Sequence, residues 1–226
     1  MSFLFAPAPQ AVLPLDEDDK TFFPVRRVFG IAANSGTYEG EKPPAKFFMK
    51  SPDCVVPVTS KTLVELPYDG KSRDFRHEVE LVVAIGAQAK NISPEKALDV
   101  VYGYACGLDM TRMDMRRPDT PWEAAKSFEA AAPITAIRKK ERMPDPWDLR
   151  LWLYVNNDLR QDGSTKDFIR SVADVISEIS HVWPLLPGDL IMTGTPLGAA
   201  AINAGDVITC GIEGIFSMKV VYGKKA

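Results

Sequence analysis

The sequence predicts an α+β, strand-rich fold, and three observations carry that reading. Seven short runs rich in β-branched or aromatic residues are bounded by Gly, Pro, Asn or Asp, the pattern of strands closed by turns. Few segments combine a helix start signal with helical spacing of apolar residues. The 226 residues contain no internal repeat and no low-complexity linker, so one main core accounts for the chain. A chain of this length buries about 70–75% of its unfolded surface.

Taken in order, residues 1–15 are apolar but carry Pro7, Pro9 and Pro14 and run into Asp16-Glu17-Asp18-Asp19. They lack a basic start and are interrupted by proline, so they read as neither a signal peptide nor a membrane span. Residues 1–24 are expected to form a small N-terminal arm, with one catalytic domain over 25–226. Strands are expected at 25–31, 54–58, 78–85, 149–155, 189–193, 206–212 and 216–222. A helix is expected from Ser93 to about Gly103, with Pro94 at its first position and Glu95 in its first turn. A second, from Ser171 to about His181, places Val172, Val175, Ile176 and Ile179 on one apolar stripe. Short helical pieces are expected at 111–116 and 121–128.

Hydrophobic residues at 46% and charged residues at 25% are the composition of an ordinary globular protein rather than a disordered one. A formal charge of -3 gives no basic field for a phosphate backbone, so no nucleic acid is expected as partner. The basic clusters Arg138-Lys139-Lys140 and Lys224-Lys225 read as a solvated turn and a tail. Cys54, Cys106 and Cys210 are odd in number and form no Cys-x-x-Cys pair, which suits a reduced, cytoplasmic protein. No run of 18 apolar residues predicts a membrane span.

Glu78 and Glu80 stand two apart in His77-Glu78-Val79-Glu80-Leu81-Val82-Val83-Ala84-Ile85-Gly86. Alternate residues of a strand share a face, so both carboxylates point one way while Val79 and Leu81 point the other. With Asp109, from Gly107-Leu108-Asp109-Met110-Thr111, they make a candidate all-oxygen site suited to Mg²⁺, Mn²⁺ or Ca²⁺ rather than zinc. Spacing alone favours the plainer reading, a solvated strand face and a helix-capping Asp109.

Four stretches in order decide between these readings: residues 77–86; Gly103-Tyr104-Ala105-Cys106-Gly107-Leu108-Asp109-Met110-Thr111; Pro121-Trp122-Glu123-Ala124-Ala125-Lys126-Ser127-Phe128; and Leu186-Pro187-Gly188-Asp189-Leu190-Ile191-Met192-Thr193-Gly194-Thr195-Pro196. Their order and spacing resemble the signatures of the fumarylacetoacetate hydrolase superfamily over nearly the whole chain. Phe3-Leu4-Phe5-Ala6-Pro7 and Phe23-Pro24-Val25-Arg26-Arg27-Val28 are most similar to its fumarylpyruvate and acylpyruvate hydrolase branch. The resemblance implies a rolled mixed β-sandwich with a few outer helices, and a homodimer. It implies metal-dependent cleavage of a C–C bond in a small 2,4-dioxo acid, in aromatic-compound catabolism, with Glu78, Glu80 and Asp109 as ligands and Mg²⁺ the first choice of ion.

By the same resemblance Lys126 stabilises substrate oxygens beside the metal, as an ammonium near a developing oxyanion does. Lys50, in Phe47-Phe48-Met49-Lys50, matches a lysine that faces the pocket from an aromatic-rich strand. Thr195 offers a hydroxyl in Thr193-Gly194-Thr195-Pro196, and Gln161 is a pocket candidate that would equally serve a hairpin. The sequence departs from the family twice. Hydrolytic relatives place a histidine three residues before a glutamate to activate water; here Tyr38 takes the histidine's place and Glu41 remains. A tyrosine, with an ordinary pKa of about 10, is a poor base at neutral pH. In Asp109-Met110-Thr111-Arg112-Met113-Asp114-Met115-Arg116, Met113 stands where a substrate-binding arginine is expected, and Arg116 where a glutamine is. Glu41, Lys126 and Tyr38 are therefore the catalytic candidates, and Lys50, Arg116, Thr195 and Gln161 the substrate-binding ones. A decarboxylase, or an isomerase or tautomerase of oxo-dicarboxylates, is the alternative activity, because neither needs an activated water. A non-catalytic oxo-acid-binding relative is the third.

Overall fold

The computed structural model describes residues 4–223 apart from residues 19, 37, 60–62, 69, 71 and 144. Phe3 of the opening motif, and Lys224 and Lys225 of the basic tail, lie outside the described residues. Two sheets face each other across the larger core. The wider one runs, in spatial order, Lys46–Lys50, Arg27–Ala32, Asp189–Met192, Val79–Ile85, Val101–Leu108, Ala132–Ile134 and Val55–Pro57. Two of its pairings are parallel, Asp189–Met192 with Arg27–Ala32 and Ala132–Ile134 with Val55–Pro57, so the sheet is mixed. The other runs Asp158–Ser164, Arg150–Val155, Val207–Ile212, Ser217–Tyr222 and Val64–Leu66.

The central strand Val79–Ile85 is buried along its whole length. Val79, Leu81, Val83 and Ile85 enter the core between the sheets, together with Leu151, Ile208 and Val220 of the second sheet. Val82 and Ala84 enter a smaller core on the outer face, which Leu13 and Phe23 close. Those two residues belong to the hairpin Val12–Pro14 with Phe22–Pro24, so this part of the N-terminal segment covers the outer face. A strand buried on both faces reads as a continuous apolar run, and residues 79–85 interrupt that run only at Glu80.

The helix expected over 93–103 is cut short. An α-turn at Pro94–Ala97 passes through a 3-10 turn at Leu98–Val100 into the strand Val101–Leu108. Val100, Val101 and Tyr102 are strand formers, and Gly103 is forced by a close crossing: a Cβ there would lie 2.2 Å from the carbonyl oxygen of Arg138. The expected helix at 111–116 is a two-residue strand, Thr111–Arg112, followed by a 3-10 turn, Met113–Met115. That at 121–128 reduces to Glu123–Lys126. The helix Val172–Val182 stands as expected, with Ser171 and Asp174 forming a reciprocal cap.

Gly30 shapes a wall of the site. It pairs with Phe48 across the sheet, and a Cβ on it would lie 2.2 Å from the Phe48 ring. The ring therefore lies flat over the glycine and is 4% exposed. Gly30→Ala should displace Phe48 and lower stability by about 1–3 kcal/mol, the cost of overpacking. A denaturant titration of the variant checks this, and an unchanged midpoint would show that the ring moves freely.

Candidate active site

Glu78 and Glu80 sit at the start of the central strand, on the face they share with Val82 and Ala84. Asp109 follows the neighbouring strand Val101–Leu108, and its N–H donates to the Glu78 carbonyl at 2.9 Å. The pairing of Val79 with Leu108 thus places the three carboxylates side by side. They offer oxygens all within 4.8 Å of one another, and Glu80 and Asp109 are buried.

Two lysines hold this group. Lys126, at the end of the Glu123–Lys126 turn and 3% exposed, donates to Glu78 Oε2 at 2.7 Å, to Asp109 Oδ2 and to Thr111 Oγ1 at 2.6 Å. Lys50 donates to Asp109 Oδ1 at 2.6 Å and to the Met110 carbonyl at 3.3 Å. Burial works against the Lys126 ammonium, but Asp109 and Glu78 outweigh it and hold its pKa above the usual lysine range. Burial likewise raises the Asp109 carboxyl, yet Lys126 and Lys50 outweigh it and bring it below the usual range. Burial pushes Lys50 down, with the neighbouring Lys126 charge adding to the effect, although Asp109 opposes it. Glu78 is pushed up by burial and by Asp109. Glu80 is pushed up furthest, by burial and then by Asp109 and Glu78.

These directions fit a cation. Three carboxylates face two lysines, and Glu80 is the one that neither lysine contacts. One Glu80 oxygen accepts the Gly194 N–H at 2.7 Å, and the other has no hydrogen-bond partner among the described residues. Each carboxylate oxygen has two lone pairs, so the lysine contacts leave room for a metal on Glu78 and Asp109. An all-oxygen set selects a hard divalent cation.

The carboxylates, Lys126, Phe48, Asn34, Ser35, Arg116 and Thr195 line a cavity of about 100 Å³. A larger cavity of about 530 Å³ shares Ser35 and is lined by Tyr38, Phe168, Ile169, Pro196 and Leu197 among others. Of the substrate-binding candidates, Arg116 and Thr195 reach the smaller cavity. Lys50 does not line it, contrary to expectation, because it braces Asp109. Gln161 is also a brace rather than a pocket group. Its Oε1 meets the Val79 N–H at 3.2 Å and His77 Nδ1 at 3.0 Å, while its Nε2 donates to Thr195 Oγ1 and the Pro196 carbonyl at 2.8 Å. The Thr195 hydroxyl in turn donates to the Val79 carbonyl at 2.8 Å.

Tyr38 and Glu41 are exposed on the loop after the strand Arg27–Ala32, and neither lines the smaller cavity. The catalytic pairing expected of them beside the carboxylates is absent in this conformation, although Tyr38 borders the larger cavity. Asn34 fixes the start of the loop by donating to the carbonyls of Arg170 and Thr193 at 3.1 and 2.8 Å and accepting the Arg170 N–H at 2.9 Å. Arg170 Nη2 donates to the Pro43 carbonyl at the far end. Asn34, Phe48 and Trp122 carry no charge or metal-ligand pattern that would mark them in the sequence.

Fold and acidic group together define a member of the fumarylacetoacetate hydrolase family. A family model described as the fumarylacetoacetate (FAA) hydrolase C-terminal region matches residues 27–221, and the chain belongs to that family. Among its relatives, oxaloacetate tautomerase FAHD1, mitochondrial, of Bos taurus is 41% identical over 176 residues, which are 76% of this chain and 78% of that protein. The fumarylpyruvate hydrolase of Pseudomonas aeruginosa, solved with Mn²⁺ and pyruvate, is similar with a TM-score of 0.93 and 35% identity, covering 99% of this chain and 100% of that one. The 5-carboxymethyl-2-hydroxymuconate delta-isomerase of Mycobacterium smegmatis is similar with a TM-score of 0.81 and 27% identity, covering 91% and 81%. The relatives are thus enzymes that include hydrolases, isomerases and tautomerases. No helix among the described residues is long and apolar enough to cross a membrane.

Proposed function

We propose that this chain is a divalent-metal-dependent tautomerase of a small oxo-dicarboxylate of the oxaloacetate type. The observation that carries the reading is a cavity rich in groups that stabilise an enolate and lacking one that activates water. Glu78, Glu80, Asp109 and Lys126 line it, and no imidazole does among the described residues. His77 points to the opposite side of the strand, against Gln161, and His181 Nδ1 lies 2.8 Å from the Ser177 carbonyl at the end of its helix. The similarity to oxaloacetate tautomerases supports the same order of readings.

Glu78, Glu80 and Asp109 would hold Mg²⁺, with Mn²⁺ or Ca²⁺ as alternatives, and the ion supplies Lewis-acid withdrawal of electrons from a 2-oxo acid. Lys126 keeps its proton and presents an ammonium to the oxygen on which negative charge develops. The enol oxygen loses a proton and the adjacent carbon gains one, so no carbon–carbon bond breaks and no water is consumed. Phe48 and the backbone beside Asn34 restrict the cavity to a small substrate. We keep a homodimer and a reducing, cytoplasmic setting as part of the proposal. The three cysteines, all free and buried, support the setting, and light scattering tests the dimer.

Hydrolysis of an acylpyruvate or fumarylpyruvate is the second reading, favoured by the adjoining larger cavity that Tyr38 borders and by the full-length similarity to a fumarylpyruvate hydrolase. The two separate in one experiment with Mg²⁺-saturated protein. Enol–keto conversion of oxaloacetate, followed by absorbance, is expected to outpace pyruvate release from fumarylpyruvate or acetylpyruvate. Tyr38→Phe and Glu41→Gln are expected to leave the tautomerase rate within about twofold, since tautomerisation consumes no water that a general base would have to activate. Faster pyruvate release, lost in those two variants, would reverse the assignment.

A further inference from the structure

Arg116 is the one cation lining the smaller cavity whose side chain has no hydrogen-bond or carboxylate partner among the described residues. Lys126 is committed to Glu78, Asp109 and Thr111. Arg112, four residues earlier, lies with its guanidinium carbon 4.2 Å from the Phe128 ring centre and does not line the cavity. Arg116 instead lies over Trp122, guanidinium carbon to ring centre 4.1 Å. Stacking engages the flat face of a guanidinium and leaves its N–H edge, with five donors in a planar fork, facing outward.

The turn that carries Arg116 is held in place. The turn Met113–Met115 is pinned by the Met113 N–H on the Asp74 carbonyl at 2.8 Å, and by Asp114, which accepts from Ser72 Oγ at 2.5 Å and the Arg73 N–H at 3.3 Å. The Arg116 N–H closes the turn on the Met113 carbonyl at 3.1 Å. Trp122 rests against Phe48 at 6.1 Å between ring centres, and Lys126 Nζ lies 4.9 Å from the Phe48 ring centre. Arg116, Trp122, Phe48 and Lys126 therefore form one wall, with the buried ammonium at one end and an exposed guanidinium at the other. An exposed cation–π contact is worth only about 0.5–1 kcal/mol, so the stack orients the arginine without consuming its charge.

We propose that Arg116 is the specificity-determining clamp of this site, taking the distal carboxylate of a 2-oxo dicarboxylate bidentately while the 2-oxo acid end occupies the Glu78, Glu80 and Asp109 side. The inference rests on the proposed oxo-dicarboxylate reading and adds which side chain selects for the second carboxylate. A neutral tail would leave the fork unpaired, whereas a carboxylate matches its geometry and charge.

Two ligands alike at the oxalyl end separate the effects: N-oxalylglycine, with a distal carboxylate, and its glycinamide counterpart, with a neutral amide. Calorimetric titration into Mn²⁺-loaded wild type is expected to favour the diacid by about 10–10²-fold, the range of a hydrogen-bonded charge pair. Arg116→Met should abolish the preference while leaving the affinity for the amide unchanged, and Arg116→Lys should restore part of it. Trp122→Leu should weaken the preference by freeing the fork. Retained amide binding shows that the folded 2-oxo acid site survives in each variant. An equal preference in wild type and Arg116→Met overturns the clamp alone. Failure of both ligands to bind the wild type overturns the 2-oxo acid site, and the clamp with it.

Discussion

Glu80→Ala is expected to lower the affinity for Mg²⁺ and Mn²⁺ by at least about 10²-fold, beyond the 10–100-fold that loss of an outer-shell partner costs. Glu80 is 2% exposed, one of its oxygens is anchored by Gly194, and it carries the carboxylate charge least compensated by lysine. The same lack of compensation sets the expectation for stability. Burying Glu80 among Asp109 and Glu78 disfavours its charged form, so the metal-free protein should lose little on its removal. Metal should then raise the unfolding temperature of the wild type and leave that of Glu80→Ala nearly still. A ligand present at 100 times its dissociation constant stabilises by about 2.7 kcal/mol. Calorimetric titration beside thermal unfolding, each with and without metal, checks both halves. Equal affinity in the two proteins would remove Glu80 from the metal site.

The acidic group was legible in the sequence because its geometry is local. Glu78 and Glu80 share a face by strand periodicity alone, and Asp109 reaches them across a single strand pairing. Lys126 was legible from the family resemblance, and the structure gives it three partners at once. Lys50 and Gln161 were misplaced for a common reason. Each was identified by its neighbours in sequence, but its direction is set by residues distant along the chain: Asp109 for Lys50, and Val79 and Pro196 for Gln161.

The strand Val101–Leu108 escaped because the Pro94 start signal is genuine and the apolar residues after it fit a helical stripe for one more turn. The crossing at Gly103, which a side chain would block, involves Arg138 and has no trace in the local pattern. The wall of Arg116, Trp122 and Phe48 was equally hidden. Its parts come from three segments, and only the glycine beneath Phe48 makes the ring lie flat. The loop carrying Tyr38 and Glu41 shows the limit from the other side. Its ends are tied by Asn34 and Arg170, but the sequence motif says nothing of whether its middle faces the cavity.

Lys126→Met should lower turnover on the physiological oxo acid by about 10²–10³-fold, the cost typical of removing one preorganised donor to a developing oxyanion. The ammonium is suited to that part because it is dry, fixed by Glu78, Asp109 and Thr111, and held protonated by the two carboxylates. It needs no reorganisation as charge moves onto the substrate, which is where a buried donor gains over water. Methionine keeps the chain length and the packing against Phe48 while removing the charge. Asp109 would still be held by Lys50 in the variant, and Glu78 would retain the Thr111 hydroxyl at 3.1 Å. Loss of a competing positive charge makes the carboxylates no poorer as ligands, so metal affinity should persist or rise while turnover falls. Steady-state kinetics paired with calorimetric metal titration separates these outcomes. Normal turnover in a variant that still binds metal would reduce Lys126 to a structural counter-ion, whereas loss of turnover through loss of metal would place it in the ligand scaffold instead.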